Sequence, residues 1–119
     1  MNLKPKYKQM LLDIFSAHLP EAEVWAYGSR VTGDAHDGSD LDLVIVPQKG
    51  KKLPSEVLSV LRTKIRDSNV PILVDLFEWT RLPESFRRNI EACHEVFYRA
   101  STNLVNEAEA DYQKKSSDN

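Results

Sequence analysis

The sequence predicts an α/β fold: one mixed β-sheet flanked by helices. Three observations carry this. Apolar residues recur with helical spacing near the N-terminus and again after residue 54. Between and after those stretches lie short runs rich in β-branched and aromatic residues. The two patterns alternate along a chain of only 119 residues, which is length for one domain with one core.

Taken in order, Tyr7, Met10, Leu11, Ile14, Phe15 and His18 fall on one face of a helix from Lys6 to Leu19. Pro5 suits its first turn, and Pro20 closes it. Ala22–Tyr27 reads as a strand that stops at Gly28. Ser29 to Ser39 reads as a short turn or helix followed by a loop. Leu41–Val46 is the strongest strand pattern and is ended by Pro47. A polar connector leads to a helix over Pro54 to Asp67, with Val57, Leu58, Leu61 and Ile65 inward. Pro71 opens a strand over Ile72–Phe77. A short helix from Glu84 to Cys93 follows, with Phe86, Ile90 and Cys93 inward, and Val96–Tyr98 forms a last strand. This assigns residues 1–100 to one domain. The polar tail 101–119 is set apart; its Leu104, Val105, Ala108 and Tyr112 make a weak helical stripe.

Charge and cysteine content narrow the function. Sixteen Lys and Arg against eighteen Asp and Glu give a net charge of −2, without the basic excess that binds nucleic acid or anionic membranes. No apolar run approaches the ~20 residues of a membrane span. The N-terminus lacks the apolar core of a signal peptide. Cys93 is the single cysteine, so an internal disulfide is excluded. The expected setting is the cytoplasm.

The chemistry lies in misplaced carboxylates. Asp42 interrupts an apolar strand, and Asp40, two residues earlier, points to the same side. Asp75 interrupts the third strand in the same way. A lone strand Asp is readily explained by a wet sheet edge. Three of them, two paired at i and i+2, repel unless a cation holds them together, and hard oxygen donors suit Mg²⁺ or Mn²⁺. Gly28-Ser29 ends the first strand. A glycine there admits close approach of a phosphate, and Ser29 adds a hydroxyl, although the pair alone would equally serve as an ordinary strand-to-helix turn. Trp25, Phe77 and Trp79 read as core rather than base-stacking residues. Cys93 reads as a small buried hydrophobe.

Together the residues spell Gly28-Ser29, ten intervening residues, then Asp40-Leu41-Asp42. This resembles the signature of the polymerase-β-type nucleotidyltransferases. The runs Tyr27–Gly33 and Gly38–Leu43 closely resemble their smallest branch, the minimal nucleotidyltransferases. Asp75 matches the family's third carboxylate. The resemblance covers roughly residues 8 to 99 and implies the following roles. Asp40, Asp42 and Asp75 are catalytic and bind two Mg²⁺ ions, with Asp75 helping to activate the acceptor hydroxyl. Gly28 and Ser29 hold the triphosphate of ATP. Arg30 and Ser39 lie within the motif, where a phosphate contact and a solvent-facing side chain are both open. The family also implies a partner, a HEPN ribonuclease toxin, with this chain as the antitoxin that transfers AMP to a toxin tyrosine. Two alternatives stand beside this: a transferase for small molecules, similar to antibiotic-modifying enzymes, and a non-catalytic antitoxin that acts by occlusion.

Overall fold

The computed structural model describes residues 3–19, 21–33, 38–49 and 51–100. The elements run α1 (Pro5–His18), β1 (Ala22–Tyr27), α2 (Ser29–Thr32), β2 (Leu41–Pro47), α3 (Ser55–Arg66), β3 (Val74–Glu78), a 3-10 turn (Trp79–Arg81), α4 (Glu84–Ala92) and β4 (Glu95–Arg99). The four strands form one sheet in the order β3-β2-β1-β4. β1 pairs antiparallel with β2 and with β4, whereas β2 and β3 are parallel. The predicted fold class is therefore found. Sequence periodicity had left the strand order open.

One face of the sheet carries the main core. Leu11 and Phe15 of α1 and Leu58, Leu61 and Ile65 of α3 pack on Val24, Leu41, Leu43, Ile45 and Leu76. Phe15 meets Phe97 edge-on at 6.0 Å. The opposite face holds a smaller cluster of Tyr27, Val44 and Ile90, with Trp25 and Trp79 packed against it. The two tryptophans thus serve packing, as the sequence predicted.

Three side chains depart from expectation. Phe77 is 40% exposed, because its side of β3 faces away from the helices that bury Leu76. Phe86 is 38% exposed and Cys93 is exposed, leaving Ile90 as the buried residue of α4. Cys93 caps this helix with an extended backbone (φ −151°, ψ 98°), so helical spacing no longer directs it inward. The third strand also begins later than predicted. β2 starts at Leu41, which is in register with Val74, so Ile72 and Leu73 have no ladder partner residue beyond the bond from Leu41 N–H to the Leu73 carbonyl (2.9 Å). The stripe Leu104, Val105, Ala108 and Tyr112 lies outside the described residues. So does Pro20.

β3 lies at the edge of the sheet. Its Leu76 carbonyl is taken by Arg62 of α3, through Nε (3.1 Å) and Nη2 (2.6 Å). Among the described residues, no helix is long and apolar enough to cross a membrane.

Candidate active site

The site forms where the C-terminal end of β1 meets the N-terminal ends of β2 and β3. Register brings its parts together. Tyr27 pairs with Asp42 across the antiparallel ladder, and Asp42 pairs with Asp75 across the parallel one. Residues opposite one another on neighbouring strands share a face. Two carboxylates separated by 33 positions in sequence thus stand side by side. Both are half-buried, and Asp40, in the extended segment just ahead of β2, is exposed.

The electrostatics reflect this crowding. Burial pushes the Asp42 carboxyl above the usual range, and the charges of Asp75 and Asp40 add to it, as does a hydrogen bond with Asp75. Tyr27 responds to the same field. Burial first, then the charges of Asp42 and Asp75, push its hydroxyl up to about 12. Sequence reasoning missed Tyr27 as part of the site; its position directly before Gly28 was the available signal.

Gly28 has φ +82°, a conformation that side-chain-bearing residues rarely adopt. A Cβ at this position would run into Asp42 Oδ2 and stand 3.3 Å from its Cγ. The glycine is therefore needed twice, once for the turn and once for the carboxylate beside it. α2 opens directly after it, with Val31 and Thr32 N–H bonded to the Gly28 carbonyl (3.0 and 3.1 Å). Ser29 begins this helix, half-buried beside the turn.

Arg30 does not face solvent: the residue is 5% exposed. Nε and Nη2 both donate to the Ser39 carbonyl, at 3.1 and 2.8 Å. The predicted residues Gly28, Ser29, Asp42 and Asp75 converge, with Asp40 close enough for its charge to act on Asp42, while Arg30 and Ser39 join each other at the margin.

The donor set fits a hard divalent cation. Among the described residues no group of three His, Cys, Asp or Glu side chains is gathered closely enough to hold a metal ion by itself. Asp42 and Asp75 nevertheless offer adjacent oxygens on a half-open face, and a cation would relieve the repulsion between them. Carboxylate oxygens of this kind suit Mg²⁺ or Mn²⁺ better than zinc.

The comparisons with known proteins agree with this geometry. A family model described as polymerase beta, nucleotidyltransferase, matches residues 9–103. The chain belongs to the polymerase beta nucleotidyltransferase family. It is 34% identical over 98 residues to a probable protein adenylyltransferase MntA of Haemophilus influenzae, covering 81% of this chain and 82% of that one. Among solved structures, a toxin–antitoxin with AMP-PNP has a similar fold (TM-score 0.64, 15% identity, 81% of this chain and 76% of the other). So does a MntA–HepT toxin–antitoxin (TM-score 0.59, 12% identity, 84% and 76%). Membership in this family makes the chain a nucleotidyltransferase, and the polymerase-like mixed sheet is its shared scaffold.

Proposed function

We propose that this chain is a Mg²⁺-dependent protein adenylyltransferase that moves AMP from ATP onto a tyrosine of a HEPN-type ribonuclease toxin, and so acts as its antitoxin in the cytoplasm. The observation that carries the reading is the contact between the Gly28 turn and Asp42, itself paired with Asp75. A triphosphate seated at that turn has its α-phosphorus beside the carboxylates. The name of the Haemophilus influenzae relative and the toxin–antitoxin structures of similar fold support the substrate class and the setting.

In this reading Asp40, Asp42 and Asp75 would hold the cations, whose charge neutralises the triphosphate and the acceptor oxygen. Gly28 leaves room for phosphate oxygens at the backbone, and Ser29 offers its hydroxyl to them. Asp75 orients the acceptor hydroxyl and takes its proton as the new O–P bond forms. The bond from the α-phosphorus to the bridging oxygen breaks, and pyrophosphate leaves with the electron pair. Catalysis is then positioning and charge neutralisation, with no covalent enzyme intermediate.

The test is direct. The purified protein is incubated with ATP labelled at the α-phosphate, Mg²⁺ and the product of the adjacent gene. Label on a partner tyrosine is expected. A partner that is inhibited yet unlabelled would replace the reading with occlusion, and label confined to small hydroxyl compounds would replace it with a small-molecule transferase.

A further inference from the structure

Asp40 differs from the other two site carboxylates in how its backbone is held. Asp42 and Asp75 lie inside strands, where ladder hydrogen bonds fix them. Asp40 precedes β2, which begins at Leu41. On its C-terminal side the backbone is anchored by the bond from Leu41 N–H to the Leu73 carbonyl, 2.9 Å. On its N-terminal side the anchor is Arg30, whose Nε and Nη2 straddle the Ser39 carbonyl at 3.1 and 2.8 Å. That carbonyl belongs to the peptide that links Ser39 to Asp40.

We propose that Arg30 is a positioning residue: its buried guanidinium fixes the Ser39–Asp40 peptide and thereby sets the Asp40 carboxylate against the cation that Asp42 and Asp75 share. This inference rests on the nucleotidyl-transfer reading of the site. Three features single out Arg30. With 5% of its surface exposed, it is buried against the carbonyl it holds. A charged donor holding a carbonyl with two N–H groups gives a stronger and more directional anchor than a neutral donor. Finally, Arg30 immediately follows Ser29, so one four-residue helix couples the phosphate turn to the start of the carboxylate strand. The residue acts on the cation through Asp40, as outer partners commonly orient metal ligands.

The experiment titrates Mn²⁺ into the full, nucleotide-free chain and counts free Mn²⁺ by electron paramagnetic resonance. Arg30→Met is expected to weaken Mn²⁺ binding by ~10-fold or more. Arg30→Lys, which keeps a charge but not the fork, should weaken it less. In transfer assays both variants should lower kcat while the KM for ATP stays close to wild type. Circular dichroism in EDTA reports whether each variant is folded. If Arg30→Met does not fold, Arg30→Lys decides. Mn²⁺ affinity unchanged in the folded variants overturns the proposal. Intact Mn²⁺ binding with weakened ATP binding also overturns it, since Arg30 would then be a phosphate ligand. Asp42→Asn is the control: wild-type Mn²⁺ binding that survives Asp42→Asn removes the parent reading, and this inference with it, whereas loss in Asp42→Asn alone removes only the inference.

Discussion

Both ends of β3 carry an acidic residue, and the two are treated in opposite ways. At the C-terminal end Glu78 is 1% exposed and surrounded by partners. It accepts from the Thr80 hydroxyl (2.5 Å) and the Leu53 N–H (3.5 Å), and the Arg81 guanidinium lies 3.6 Å away. Arg81 also donates to the Leu53 carbonyl at 3.2 Å, so the connector ahead of α3 is tied down on both sides of one residue. At the N-terminal end Asp75 faces another carboxylate instead. A buried acid supplied with donors is architecture. An acid held beside a like charge marks a candidate functional site.

This contrast can be broken most sharply at Asp42. Asp42→Asn should lower AMP transfer at least ~100-fold, measured by label on the partner, while the fold persists. Transfer at the wild-type rate would mean that the assigned chemistry is wrong. Gly28→Ala tests the contact between turn and carboxylate. Its strained backbone and the collision with Asp42 should cost ~1–3 kcal/mol of stability and reduce transfer as well, read by denaturant melts and the same assay. Glu78→Ala should do the reverse of Asp42→Asn: a loss of ~2 kcal/mol in stability, with the protein that remains folded still transferring AMP.

The pH dependence separates the two ends further. The Asp42 pKa is raised in the folded state, so folding favours its protonated form. In EDTA its contribution is therefore present at low pH and is lost as pH rises through the carboxylate range to the raised value. Asp42→Asn should flatten that segment of the stability profile, as followed by thermal melts from pH 3 to 7. The smallest effect concerns Tyr27. Raised from 10.0 to about 12, it makes the fold lose stability as pH climbs across that interval. Tyr27→Phe should reduce this slope, to which Tyr98, also raised by burial, contributes; an identical slope in the variant would count against the placement of Tyr27 beside the two carboxylates.

Much of the architecture was legible in the sequence because its signals are local. α1 and α3 fall within a residue or so of the predicted bounds, since periodicity and flanking prolines mark helices without help from distant residues. Asp42 and Asp75 were legible because each breaks an apolar strand, and Asp40 because it stands two residues ahead of Asp42. What escaped was decided by pairing. The start of β3 depends on where β2 begins, and the exposure of Phe77 depends on which face of an edge strand is covered. Burial of Arg30 and of Glu78 was equally invisible, because their partners are a backbone carbonyl nine residues away and an amide 25 residues away. Composition records charged side chains but not the carbonyls that receive them.

The bond from Arg62 to the Leu76 carbonyl has a consequence for traffic at this site. An uncovered border strand invites a foreign strand to zip alongside it. With the Leu76 carbonyl already taken, β3 presents one acceptor fewer to such a guest. In the proposed reading the acceptor then approaches over the open face of the sheet, where Asp42 and Asp75 stand, rather than along its edge.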